Sequence, residues 1–318
     1  MKTSLNFLSG WLEARFAQKK RAVSVVLSFF GDVVQVHGGN VALSSLVYAG
    51  ERMGVGEATL RGGANRLVGK GWLTYQTFGK RSIYRLTERG AKRMERMASR
   101  IYQRQEQRTW TGQWQFVVVD DISLCADKDD LDLQISGLRY LGFAKLSENV
   151  FVRPEIEEDQ AFGDIEEIVV SGNGLVTAFR GESLPVHGKD LLRAFVSRHW
   201  DVARIDAGYK TLIETYKPIL PVVRKCRELP TDMAFSIRCL LIHDYQLVRA
   251  VDPLFPSGTF SEMRHHGAAY DVVRELYDHV YRDSHQHVVT TINEFYGWVP
   301  FADQSVCARF EGLYCPPF

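Results

Sequence analysis

The stretch from Val41 to Gly90 constrains this chain more than any other. It reads "VALSSLVYAGERMGVGEATLRGGANRLVGKGWLTYQTFGKRSIYRLTERG", which is helix, tight turn, helix, then two short strands around a Gly79-Lys80-Arg81 tip. That order is the order of a winged helix-turn-helix. Charge agrees with it. Residues 1–108 carry 19 Lys+Arg against 7 Asp+Glu, net +12, whereas the remaining 210 residues carry 20 against 31, net −11. The whole-chain charge of +1 therefore conceals a basic head on an acidic body, and such asymmetry implies a polyanionic partner for the head.

Within the head, Ala22 to Phe30 has the apolar density of a buried helix, and Ala42 to Met53 sets Leu43, Leu46, Val47 and Met53 at helical spacings. Gly54-Val55-Gly56 is short enough to cross two helices. From Glu57 to about Lys70, Leu60, Ala64, Leu67 and Val68 share one face. The second helix of such a motif enters the major groove, where Arg reads guanine, Asn reads adenine and Thr reaches phosphate or base. The candidate DNA-binding residues are therefore Thr59, Arg61, Gly62, Gly63, Asn65, Arg66 and Lys70, with Lys80 and Arg81 at the hairpin tip. Gly62 and Gly63 each cost about 1 kcal/mol relative to Ala inside a helix. Either close packing or close approach to DNA accounts for the pair. After Gly71, "WLTYQTF" and "SIYRL" alternate with period two as a wing, and Thr87 is a candidate N-cap for a helix carrying Lys92, Arg93, Arg96 and Arg100.

At 318 residues the chain has room for two or three domains, and 45% hydrophobic with 24% charged residues is ordinary for a globular protein. No apolar run reaches the roughly 18 residues of a membrane span, since "VVLSFFGDVV" is broken by Gly31 and Asp32. No signal-peptide pattern is present at the N-terminus, so a cytoplasmic location is expected. The five cysteines, an odd number without a CxxC pair, fit reduced thiols and neither a disulfide framework nor a zinc knuckle. No Ser-His-Asp, GxGxxG or GxxxxGK[ST] pattern appears, and no cofactor is expected.

The body begins with the strand "WQFVVVDD". A helix from Leu131 to Leu141 follows, then the hairpin "GFAKLSENVFVRP" turning at Ser147-Glu148-Asn149 and stopping at Pro154. Asp159 to Glu167 reads as a short helix or acidic loop, and "GLVTAFRG" as a last strand. This β-α-β-β-α-β order is the ferredoxin-like motif. Asp120 and Asp121 at the end of the first strand raise a metal-dependent nuclease as the alternative function, against the reading of paired acids as turn-formers. From about Pro185 the chain is helical. Arg238, His243, Tyr245 and Arg249 fall at helical spacings that would line a polar strip facing an anionic ligand, although His243 in an apolar run also reads as a core histidine. Trp200, Tyr209 and Tyr216 add flat apolar surface, and Lys217 a further cation. His265, His266, His279, His285 and His287 form the one cluster with a metal flavour, but neighbouring Arg264 and Arg282 disfavour a cation.

The strings "TLRGGANRLVGKGWL" and "GKRSIYRLTERG" resemble the N-terminal domain of the PaaX family of transcriptional repressors, through Arg61, Ala64, Arg66, Leu67, Gly71, Trp72, Leu73, Gly79, Arg81, Ser82, Tyr84 and Leu86. "WTGQWQFVVVD" resembles the family's entry into its central domain, and "AFSIRCLLIHDYQLVRAVDPLFP" its C-terminal part. Gly62-Gly63, Gln246, Leu247 and "SGTFSEMRHHGAAY" depart from the pattern. The resemblance implies an α+β multidomain regulator: a winged helix-turn-helix with linker helix over 20–108, a ferredoxin-like dimerisation domain over 109–183 and a helical effector domain over 184–318. It further implies a homodimer on a double-stranded DNA operator of a phenylacetate catabolic operon, released by phenylacetyl-coenzyme A or a related CoA thioester. The candidate effector-binding residues are Trp200, Tyr209, Lys217, Arg238, His243, Tyr245 and Arg249.

Overall fold

The computed structural model describes residues 2–104, 110–119, 135, 137–139, 141–156, 176–182, 188–226, 228–253, 255, 264–292, 302 and 304–312. In chain order it has α1 (Lys2–Phe16), α2 (Ala22–Phe29), a π turn (Phe30–Val34) running into a 3-10 turn (Gln35–His37), β1 (Asn40–Ala42), α3 (Leu43–Glu51), α4 (Glu57–Gly69), β2 (Leu73–Phe78), β3 (Arg81–Leu86) and α5 (Glu88–Tyr102). Then come β4 (Trp110–Val119), β5 (Ala144–Lys145), β6 (Val150–Ile156), β7 (Val176–Glu182), α6 (Gly188–Trp200), α7 (Val202–Tyr216), α8 (Leu220–Lys225), α9 (Thr231–Arg249), α10 (His266–His287) and a C-terminal 3-10 segment (Gln304–Glu311). The result is a mixed α+β chain with two small antiparallel sheets.

These elements gather into two compact units, 1–104 with 211–249 and 267–318, and 105–210 with 250–266. The units are not consecutive in sequence as the division at 108 and 183 would have them: α9, α10 and the C-terminal segment belong to the same unit as the head. α9 shows why. Ala234, Phe235, Ile237, Leu240, Leu241 and Ile242 are all buried, so the helix has no solvent face along most of its length and must be enclosed. It packs on α2, with Phe29 and Phe235 edge to face at 6.2 Å.

At the centre of this unit lies a carboxylate. Asp32 in the π turn is 2% exposed and Arg238 of α9 is 0% exposed. Arg238 Nε donates to Asp32 Oδ2 at 2.7 Å, and its Nη2 to the Asp32 carbonyl at 2.9 Å. Arg309 Nη1 donates to Asp32 Oδ1 at 2.9 Å, and Tyr102 and Tyr277 hydroxyls donate to the same oxygen at 2.8 Å each. Burial alone would raise the carboxyl's pKa, but Arg238 and Arg309 overcome it and hold Asp32 below its ordinary value. The guanidinium groups also lie over aromatic faces, Arg309 at 4.2 Å from the Tyr102 ring centroid and Arg238 at 5.0 Å from that of Tyr281.

The first sheet has order β1-β3-β2, with Val41 opposite Tyr84 and Leu73 opposite Leu86. Strand β1 was hidden because its three residues are too few to show a period. In the second unit the order is β5-β6-β4-β7, all pairs antiparallel. Val117, Val119, Leu138, Leu141, Phe143 and Phe151 form one core, and Trp114, Ala144, Val152, Val196, Trp200 and Phe255 another. Residues 135 and 137–139 of the expected Leu131–Leu141 helix are helical. The rest of that segment up to 134, Asp120, Asp121 and the acidic stretch Asp159–Glu167 lie outside the described residues. Pro154 does not stop its strand but pairs with Trp114 in the register. Val150 O accepts from Leu146 on the β5 side, and Pro154 shares its parity, so the missing N–H falls where β6 no longer has that neighbour. Cys226 and Cys239 are free, but Cys307 is disulfide-bonded, which corrects the expectation of reduced thiols for that residue.

Replacing Asp32 with Asn keeps its shape but leaves two buried guanidinium groups without a counter-charge. Urea unfolding should show a loss of about 3–5 kcal/mol. A loss under about 1 kcal/mol would mean that water, not Asp32, neutralises the arginines.

Candidate nucleic-acid interface

Helix α4 begins at Gly56 with Glu57 in its first turn, where the carboxylate meets the positive end of the helix dipole. Leu60, Gly63, Ala64 and Leu67 are buried, which turns Thr59, Arg61, Asn65, Arg66 and Lys70 outward, all exposed. Arg61 is paired with Glu57 one turn earlier, Nη2 to Oε1 at 2.7 Å. Asn65 Oδ1 accepts from the Tyr84 hydroxyl at 3.4 Å, so strand β3 orients the amide. The two adjacent glycines divide between the two explanations. A Cβ on Gly63 would lie 2.7 Å from the Ala22 Cβ and 3.1 Å from its carbonyl carbon, whereas a Cβ on Gly62 would meet nothing within 4 Å. Gly63 is therefore a packing residue that lets α2 and α4 cross closely, which corrects its place among the outward-facing residues. Gly62 stands at an open surface.

The hairpin tip turns at Gly79 with φ +61°, the left-handed conformation that favours glycine, and Lys80 and Arg81 are both exposed there. Phe78 beside them is 63% exposed. Thr87 is the N-cap of α5, accepting from Gly90 N at 2.9 Å and donating to Gly71 O at 2.6 Å, which ties the helix start to the base of the hairpin. On α5, Arg93 lies over the Trp72 ring at 5.2 Å, and burial, then Arg89 and Arg96, push its pKa down to about 10. Burial is the larger cause, and the neighbouring cations of α5 add to it.

The residues expected to bind an effector are divided between the two units. Trp200 and Tyr209 belong to the second unit, and Lys217, Arg238, His243, Tyr245 and Arg249 to the first. Trp200 Nε1 donates to Gly142 O at 2.9 Å, and the Tyr209 hydroxyl to Asp252 at 2.5 Å. Arg238, His243, Tyr245 and Arg249 are all buried, so the strip on α9 faces protein and not solvent. Arg249 Nε donates to Arg100 O at 2.9 Å, and His243 Nδ1 is 3.2 Å from Ser28 Oγ. Lys217 is exposed. Helical spacing places residues on one face but does not say what that face meets. The histidines also disperse: His265 bonds Asp206 at 2.7 Å, His285 stacks on His37 at 5.2 Å, and His287 Nε2 is 2.8 Å from the Tyr48 hydroxyl. Among the described residues no group of three or more His, Cys, Asp or Glu could hold a metal ion.

Sequence reasoning missed the Asp32 cluster. Its one local signal was an acid inside the apolar run "VVLSFFGDVV", which only a buried partner can explain.

A family model described as PaaX-like protein matches residues 21–90, and one described as PaaX-like protein C-terminal domain matches residues 200–290. The chain is similar to Transcriptional repressor PaaX of Escherichia coli (strain K12), 32% identical over 238 residues that cover 73% of this chain and 72% of that protein. Among solved structures it is similar to an uncharacterised protein, Rv0674, of Mycobacterium tuberculosis, at 19% identity and a TM-score of 0.42, over 82% of this chain and 98% of that one.

Two measurements follow. Gly63→Ala should destabilise by about 1–3 kcal/mol through overpacking against Ala22, whereas Gly62→Ala should stabilise by about 0.5–1 kcal/mol; equal effects would mean the α2–α4 crossing is not tight. Burial lowers the pKa of His243, and burial, His37 and Arg238 bring His285 down to about 4. The folded state then binds fewer protons than the unfolded one. Stability is full above the unfolded histidine pKa of about 6.5 and falls as pH drops from there toward 4. Melting temperatures should show this decline, and His285→Gln should flatten part of it.

Proposed function

The chain belongs to the PaaX family of transcriptional repressors, and from that premise we propose that it represses a phenylacetate catabolic operon by binding its operator with α3, α4 and the β2–β3 hairpin acting as a winged helix-turn-helix. The observation that carries this reading is the outward face of α4. Thr59, Asn65, Arg66 and Lys70 are exposed beside a hairpin whose tip presents Lys80 and Arg81. In this arrangement α4 enters the major groove, Arg66 and Asn65 reach base edges, and the hairpin tip and the cationic face of α5 meet phosphate. Arg61, held by Glu57, exchanges that partner for phosphate on binding.

The second unit serves as the dimerisation module of a homodimer. Its sheet order β5-β6-β4-β7, all antiparallel, is the order a ferredoxin-like β-α-β-β-α-β chain produces. A two-fold operator calls for such a pair. The protein acts in the cytoplasm; among the described residues no helix is long and apolar enough to cross a membrane. Release from DNA follows binding of phenylacetyl-CoA or a related CoA thioester, which acts by preferring the conformation that does not fit the operator.

In mobility-shift titrations the protein should retard an operator duplex and leave it intact with or without Mg²⁺, with affinity falling steeply with salt. Arg66→Ala should cost about 1–3 kcal/mol of specific binding. Lys80→Ala with Arg81→Ala should reduce the salt slope by about two units, one for each lost phosphate contact. A folded double variant with the wild-type slope, or a folded Arg66→Ala with wild-type affinity, would take the hairpin or α4 out of the interface.

A further inference from the structure

A cleft of about 420 Å³ opens in the first unit between α5, the π turn and the C-terminal 3-10 segment. Its size is at the lower end of the range of about 300–1,000 Å³ typical of small-molecule sites. Met94, Ala98 and Tyr102, one turn apart on α5, supply apolar and aromatic wall, while Ser99 and Gln35 supply polar atoms. Arg309, at the floor, donates to Asp32 and Tyr277. Arg309 is the cation that reaches the cleft; it shares Asp32 with the deeper Arg238, and Glu95 lies on the same lining. The guanidinium of Arg309 suits a carbonyl oxygen, and the walls suit a flat apolar group. A small enclosed void beyond it is lined by the same Gly31, Met94, Ala98 and Tyr102. Gly31 lets Met94 pack closely on the π turn, since a Cβ there would lie 2.7 Å from Met94 Sδ.

The cleft also lies between the two supports of the DNA-facing elements. One wall, α5, starts at the Thr87 cap, and Gly90 in its first turn sits against the Trp72 carbonyl at the foot of the hairpin. The other wall continues α2, whose Ala22 touches Gly63 of α4. A group wedged between the walls would push on both supports, and so on the spacing of the hairpin and α4 that a groove would have to match.

We propose that this cleft is the effector site and that it takes an aryl-acyl group, ring between Met94, Ala98 and Tyr102, carbonyl oxygen toward Arg309. The assignment rests on the effector response proposed above. Two sources offer this chemistry, a free aryl acid and its CoA thioester. The cleft holds the acyl end of the thioester, and its polyanionic remainder runs outside along α5, where Arg96 and Lys92, the latter paired with Glu88, lie one turn apart.

The experiment is calorimetric titration of the full-length protein with phenylacetyl-CoA and separately with phenylacetate, repeated on Ala98→Trp, which fills the cleft, and on Ser99→Leu, an exposed change that blocks its mouth with little risk to folding. Operator binding without ligand reports that each variant is folded. The wild type should bind the thioester, and both variants should lose at least tenfold in affinity. Variants that bind it as the wild type does overturn the cleft and leave the effector response standing. A wild type that binds phenylacetate as tightly as the thioester supports the cleft but makes the free acid the source. Binding of neither overturns the effector response and this site with it.

Discussion

A carboxylate removed from water costs several kcal/mol unless its surroundings replace the lost hydration, and the surroundings of Asp32 do so with two arginines and two tyrosine hydroxyls. No local segment can assemble that shell. Arg238 is 206 residues away in the chain and Arg309 is 277 away. Once Asp32 is buried at the end of α2, the C-terminal helices must close over the head, and the first unit becomes discontinuous in sequence for that reason. Buried ion pairs often add little net stability over apolar replacements; here their force is to specify, since any register of α9 that misplaces Arg238 strands two opposite charges in the core.

That closure decides which surface of the head stays open. The inward side of α4 is consumed by α2 through Gly63, and α2 is in turn covered by α9. The outward side, with Asn65 and Arg66, is left to solvent. The basic excess of residues 1–108 thus ends as an addressed surface on α4, the hairpin and α5, while the cations of α9 disappear into the interior.

What could be read from the sequence was whatever local rules decide. The period of α4, the Gly79 tip and the Thr87 cap each follow from a few neighbouring residues. What escaped depends on distant partners. Helix α1 buries only Leu8 and Leu12 deeply, too few for a clear stripe. Pro154 is tolerated because β5 ends before it, a fact about a neighbouring strand. Arg238 and Arg249 lie at ligand-ready spacing, yet their charge is answered inside the fold, by Asp32 and by the Arg100 carbonyl. An arginine within an apolar run carries two opposite meanings, a buried pair or a pocket rim, and only the location of the compensating acid tells them apart.

Magnitudes then restrict how a signal can cross this unit. Allosteric coupling between two ligands is typically about 1–3 kcal/mol. Taking one partner from a buried ion pair costs about 3–5 kcal/mol. A switch that opened the Asp32 cluster would spend more than the whole coupling energy, so in the effector response proposed above the cluster would serve as a fixed pivot and any movement would belong to what surrounds it. Two neighbours qualify. The π turn holds Asp32 with a hydrogen-bonding pattern one residue wider than an α-helix, a geometry that returns to α-helix by a local shift. The flexible side chain of Met94 lies against Gly31 with no polar bond to break. Rearrangement there costs packing contacts worth tenths of a kcal/mol each, which is the scale on which a small molecule can bias α5 against α2 while the charges between them stay paired.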